Sequence, residues 1–341
     1  MLTPKAFARK LLDRALMTYG YRMVRSSILY DWQKNSYEAA RFNASPLPEG
    51  ARSYLHVDHP RLVELRSRYS VFDSRVTSPL VWRNGYVRAE DLLYFRGDNA
   101  YVWQLRGPNM DLPAYALSTY YVKSIDVLGL LSKLVEDDYF GNFVFNIDQK
   151  PVSRDLLDSI IEIYFLENHL GLASGANGFN VLDIGAGYGR LAHRMLSALP
   201  GVKRYLCTDA VAESTFISEY YLRFRNLNDR ARVVPLHEIE EALETQPVNL
   251  AINIHSFSEC RLPAIEWWMS LLAKHRVKHL MIVPNGLDHG GELLLTLEGK
   301  DMRTVIEKHG YRQVAKDPKY ADSVLQKHAV NPTCHFLFEL S

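Results

Sequence analysis

The stretch Val181-Leu182-Asp183-Ile184-Gly185-Ala186-Gly187-Tyr188-Gly189-Arg190 decides the fold. A short apolar run, Val181–Ile184, delivers the chain into three glycines spaced two apart. Glycine lets a backbone bend tightly and approach a ligand closely, so the pattern predicts a strand, a sharp turn and a helix over about 188–199. Strand and helix signals then alternate. Tyr205–Thr208 predicts a second strand ending on Asp209, followed by a helix over about 213–225. Arg232–Leu236, Leu250–Ile254 and Leu280–Val283 predict three more strands, with helices near 263–275 and 301–309. Tyr311–Ala315 and His335–Leu340 close the series as two strands joined by a loop, an arrangement that suggests an antiparallel end pair. Such alternation implies an α/β fold: a doubly wound, mostly parallel seven-stranded, Rossmann-like sheet with right-handed crossovers and an antiparallel terminal strand.

Upstream, Ser153 and Asp155 suit a helix start, Leu156, Ile160, Ile161, Tyr164 and Phe165 share one face, and Gly171 ends the helix. A Gly/Asn/Ser linker at 172–179 follows. The expected division is therefore an N-terminal helical and α+β cap over 1–171 and the doubly wound α/β domain over 172–341. Within the cap, residues 81–121 are dense in aromatics, including Trp82, Tyr101 and Trp103, which suit either an ordinary core or the faces of sugar rings. The first 34 residues hold seven Lys/Arg against Asp13 and Asp31, a local charge of +5. Phe7, Leu11, Leu12, Ala15 and Leu16 recur there at helical spacing. Two readings of residues 1–17 follow: a helix that packs on the body, or peripheral contact with an anionic membrane surface.

Over all 341 residues the formal charge is +1, which argues against a nucleic-acid binder. Cys207, Cys260 and Cys334 are too few and scattered for a disulfide framework or a zinc site, so a cytoplasmic location is expected. No apolar stretch reaches the roughly 18 residues of a transmembrane helix, and no signal-peptide core is present.

In doubly wound sheets ligands bind beyond the carboxyl ends of the strands. Asp209 stands twenty residues after Gly189, where a carboxylate accepts both hydroxyl protons of a ribose. A dinucleotide fingerprint would place its third glycine at position 190, which is Arg190. Asp183 would repel a pyrophosphate and attract a sulfonium and an ammonium. The D-x-G-x-G-x-G spacing resembles motif I of class I S-adenosylmethionine-dependent methyltransferases. The longer segments SRDLLDSIIEIYFLENHLGL, CTDAVAESTFISEYYLRFR and AINIHSFSECRLPAIEWWM resemble the bacterial sugar O-methyltransferase family associated with polysaccharide biosynthesis. The likeness covers about 153–341, and RGDNAYVWQ at 96–104 adds to it. It implies methyl transfer from S-adenosyl-L-methionine to a hydroxyl of a glycan, glycolipid or nucleotide-linked sugar.

Asp183, Gly185, Ala186, Gly187, Tyr188 and Gly189 are expected at the methionine half of that cofactor, Asp209 and Ala210 at the ribose, His237 and Glu238 near the adenine, and Asn253 at the adjoining strand end. Moving a methyl group to oxygen requires a base, and the end of the fourth strand supplies candidates. His255 titrates near neutral pH, with Glu259 orienting it or acting as base itself. His289, in the 284–292 loop, is an alternative base. Asp288, His289 and Glu292 do not match a known metal box, so no metal is expected. Asp98, Asn99, Tyr101, Trp103, Gln104 and Trp268 are candidate acceptor contacts. Two rival functions stay open: an O-methyltransferase for a non-sugar small molecule, and a non-catalytic cofactor-binding subunit of a biosynthetic complex.

Overall fold

The computed structural model describes residues 4–19, 21, 23, 46–82, 87–98, 112–174, 178–286 and 289–341. Asn99, Tyr101, Trp103 and Gln104, expected at the acceptor, lie outside the described residues. Asp98 closes a short helix, Phe95–Asp98.

Nine strands are described. A small hairpin, β1 (Phe145–Ile147) and β2 (Lys150–Val152), precedes the main sheet. The main sheet contains β3 (Phe179–Ile184), β4 (Val202–Thr208), β5 (Ala231–Val233), β6 (Leu250–Ile254), β7 (His279–Val283), β8 (Tyr311–Pro318) and β9 (Cys334–Leu340). Its order is β5-β4-β3-β6-β7-β9-β8. The first five of these strands run parallel, and β9 is antiparallel to both β7 and β8. All five residues of β6 are buried, as expected of a central strand covered by helices on both faces. The chain runs outward from β3 to β5 and returns to β6 on the other side of β3. This reversal opens a crevice at the carboxyl ends of β3 and β6.

Helices Arg190–Ala198, Ala212–Phe224, Leu262–Lys274 and Arg303–Lys308 occupy the expected places. The third parallel strand is shorter than its apolar run, because Pro235 has no N–H to give the ladder. The last connection corrects the sequence reading. A helix, Ser323–His328, stands between β8 and β9, where only a loop was expected. Asp322 caps it by accepting from the Val324 and Leu325 amides, and Leu325 buries its one apolar face.

Helix Arg154–Leu170 starts on Ser153, whose hydroxyl accepts from Leu156 N at 3.0 Å, and ends on Gly171 at φ +66°. Everything from Arg154 to Leu166 is buried, charged residues included. Ion pairs to other elements compensate that burial. Arg194 donates to Glu136 at 2.7 Å and Asp155 at 3.3 Å, and Arg96 donates to the same two carboxylates at 2.6 and 3.2 Å. Arg190, notable in the sequence only as a missing glycine, donates to Ser159 and Glu162, both at 2.7 Å. The helix is thereby fixed against the one that follows the glycine turn. One apolar core runs from Ala51 to Phe338, continuous across the expected division at 171. Breaking a buried pair leaves an uncompensated charge, so Arg194→Ala should cost about 3–5 kcal/mol of unfolding free energy in a urea titration.

Candidate active site

A cavity lies where β3, β4 and β6 end, framed by the 185–188 turn, Asp183, Asp209 to Val211, residues 254–257, Glu259 and Cys260. Its floor follows from the glycines. Gly185 has φ +76°, and a Cβ there would sit 2.2 Å from Ser256 Oγ, so the turn and the end of β6 pack backbone to side chain. Gly189, at φ +86°, caps helix Arg190–Ala198 instead of facing the cavity. Gly185→Ala should cost about 1–3 kcal/mol in backbone strain plus displacement of Ser256. Gly290→Ala is the control, since its φ is also positive (+58°) but nothing lies within 4 Å of the added carbon. A larger loss of melting temperature for the first than for the second is the expected result.

Two acids face this cavity. Asp183 accepts a hydrogen bond from the Tyr205 hydroxyl at 2.9 Å. Asp209 accepts from Val211 N at 2.8 Å and from Gly187 N at 3.0 Å, which ties it to the glycine turn. Burial pushes both carboxyls up to about 7, with the hydrogen bonds only partly opposing it. Among the described residues no cationic side chain hydrogen-bonds to either one. Arg190 favours the Asp183 carboxylate only through space and too weakly to offset burial, and buried acids that no cation hydrogen-bonds suit a ligand that brings positive charge and hydroxyl donors.

Beyond them stand the candidate bases. His255 follows β6 in a strained backbone at φ +64°, held by its own amide on Val283 O at 2.7 Å. Its Nδ1 lies 3.2 Å from Pro284 O, which can only accept, so the proton sits on Nδ1. Nε2 faces Asn331 Nδ2 at 3.5 Å. Burial, then Arg154, lowers the imidazole to about 3, which keeps it neutral and makes it a weak base. Glu259 has different partners: Trp82 Nε1 donates to Oε2 at 2.7 Å and Asn285 Nδ2 to Oε1 at 3.3 Å. Burial raises its carboxyl above the ordinary value, against both hydrogen bonds. The expected pairing, Glu259 orienting His255, is replaced by these separate anchors.

Gly185, Ala186, Gly187, Tyr188, Ala210 and Trp268 line the cavity. Asn253 does not. Its amide donates to Ile184 O and Ser256 Oγ, and its oxygen accepts from Phe257 N, so it locks two strand ends together. His237 and Glu238 also lie outside the lining, on the short helical turn Leu236–Glu238. His289 accepts from Leu293 N at 3.4 Å and is likewise outside it. Among the described residues no three His, Cys, Asp or Glu are grouped to hold a metal ion.

The roof of the cavity left no signal in the sequence. Val76, Pro79 and Trp82 cover the cavity, and Leu80 N donates to Glu259 O at 2.7 Å. The aromatic density of 81–121 marked Trp82 as one of several rings without placing it. Trp82, Ala210 and Val211 also border a second cavity of about 700 Å³, edged by Ser70, Ser74, Thr77 and Ser78 and by the ion pair of Arg66 with Glu213 at 2.8 Å.

No protein-family model and no curated protein matches this sequence. Solved structures are similar at low identity. The methyltransferase domain of bacterial CtHen1 is 14% identical, with 53% of this chain and 100% of that chain covered and a TM-score of 0.40. Mitomycin 7-O-methyltransferase is 17% identical, with 55% and 57% covered and a TM-score of 0.36. Magnesium protoporphyrin IX methyltransferase from Synechocystis PCC 6803, solved with bound S-adenosylmethionine, is 11% identical, with 56% and 85% covered and a TM-score of 0.37.

Proposed function

We propose that this chain is an S-adenosylmethionine-dependent O-methyltransferase acting on a sugar hydroxyl. One observation carries the reading: two buried acids, Asp183 and Asp209, share a glycine-turned cavity without a cationic side chain hydrogen-bonded to them, and a half-buried carboxylate, Glu259, borders the same cavity. The donor set fits the cofactor, with Asp183 suited to its positive charges, Asp209 to the ribose hydroxyls, and the 185–188 turn allowing close approach.

When bound, the cofactor supplies an electrophilic methyl group. The protein's tasks are to place an acceptor oxygen and remove its proton. Glu259 takes that proton: burial makes it more basic than an ordinary carboxylate, and a positioned base contributes about 10²–10⁴-fold. Trp82 and Asn285 position its two oxygens. His255 is a weaker base, with Nδ1 committed to Pro284 O, and serves better as a neutral acceptor at the cavity wall. A sugar acceptor is favoured by the hydroxyl-edged second cavity and by Trp82 between the two, since a flat ring and many small donors suit a polyhydroxylated ligand.

Transfer of tritiated methyl from S-adenosylmethionine to a panel of free sugars, sugar nucleotides and phenolic compounds tests this. Label on sugar hydroxyls supports the reading; label on phenols alone favours the small-molecule rival. Tight cofactor binding without transfer to any acceptor, together with insensitivity to loss of Glu259, favours the non-catalytic subunit.

A further inference from the structure

Among the described residues that line the cavity, none comes from helix Pro4–Thr18. None of its described residues belongs to the apolar core, and its large apolar side chains face water: Phe7 is 57% exposed, Leu11 and Leu12 are each 52% exposed, and Met17 is 38% exposed. At 100° per residue, Phe7, Leu11, Ala15 and Leu12 fall on one side of the helix. Tyr19 and Tyr21, beyond its end, are 79% and 67% exposed. Of the two readings of this segment, packing on the body is therefore the one the exposures do not support.

Charge identifies the occupant. The helix sequence holds Lys5, Arg9, Lys10 and Arg14 against Asp13, a charge of +3 in a chain whose total is +1, so the segment that bears the apolar stripe is itself basic. A second copy of the chain would bring the same charge to the interface and be repelled. An acidic lipid surface complements both features at once: acyl chains take the stripe, headgroups take the Lys and Arg side chains, and tyrosines suit the boundary. No described helix is long and apolar enough to cross a membrane, so such contact would lie in the plane of the surface.

We infer that helix Pro4–Thr18, with Tyr19 and Tyr21 beyond its end, forms an interfacial anchor that holds the protein on anionic bilayers. This rests on exposure and charge alone and is independent of the methyl-transfer reading.

The test is sedimentation of the full chain with vesicles of phosphatidylcholine, or of phosphatidylcholine with phosphatidylglycerol at about 7:3. The anchor predicts binding to the acidic vesicles that exceeds binding to the neutral ones by about tenfold and weakens as salt is raised. Leu11→Glu with Leu12→Glu should abolish it, and Arg9→Glu with Arg14→Glu should remove the preference for acidic lipid. Unchanged melting temperatures would show that both variants still fold. Equal binding to both vesicles, binding that survives the Leu11/Leu12 change, or a dimer dispersed by that change with no vesicle binding would each overturn the inference.

Discussion

Asp183→Asn should make the protein more stable at pH 8 and poorer at binding its cofactor. The carboxyl has an ordinary value of 3.8 and is raised by burial to about 7 in the folded chain. A group raised on folding favours the folded state most below its unfolded value, and that advantage is lost as pH rises through the folded value. At pH 8 the folded protein therefore carries an ionised, desolvated carboxylate. Each tenfold rise in proton affinity corresponds to about 1.4 kcal/mol, so the penalty approaches about 4 kcal/mol before relaxation. Asparagine is neutral and keeps an oxygen to accept from Tyr205. The expected gain is about 2–4 kcal/mol at pH 8, shrinking to nothing below pH 4, read from urea titrations across that range. Cofactor affinity should fall at least about tenfold, because the group that answers its positive charge is gone. A variant with wild-type stability at pH 8 would contradict the account of this acid.

The second large effect is at Glu259. Glu259→Gln should lower kcat by about 10²–10⁴-fold while leaving the affinity for S-adenosylmethionine within about twofold. The wild-type rate should rise with pH through a midpoint above the ordinary carboxylate range, since burial raises this group and only its ionised form accepts a proton. Trp82→Phe removes the indole N–H that favours the ionised form, so the acid limb of the profile should move to higher pH. A purely structural Trp82 would lower activity without moving that limb. A kcat equal to wild type in Glu259→Gln would return His255 to first place.

The parallel sheet was legible because its central strands, β3 and β6, are almost wholly buried and read as plain apolar runs, the first of them leading into glycines. The turn was legible because its spacing is set by backbone geometry, which glycine alone satisfies cheaply. Contacts across long sequence separations were not. Arg190 and Glu162 are 28 residues apart, and Trp82 and Glu259 are 177 apart. Neither pair leaves a periodic trace. Asn253 read as a ligand contact because it ends a central strand, yet its three hydrogen bonds lie within the protein. His255 looked like a base from its intrinsic titration range; burial among Arg154, Lys319 and Arg190 reverses that advantage. The helix Ser323–His328 is six residues long, too short for a periodic signal, and only its Asp322 cap hinted at it.

The central claim is that the two acids and the glycine turn hold S-adenosylmethionine. Isothermal titration with S-adenosylmethionine, S-adenosylhomocysteine and NAD, in two buffers of different ionisation enthalpy at pH 7, tests it most directly. Asp183 and Asp209 are each raised to about 7, so roughly half of each is protonated there. Binding of a cation beside them should release protons, more for the sulfonium compound than for its uncharged-sulfur product, and Asp209→Ala should weaken both. The account predicts binding of the two adenosyl compounds with that difference in proton release, and none of NAD. Binding of NAD alone, or wild-type affinity in Asp209→Ala, would contradict it.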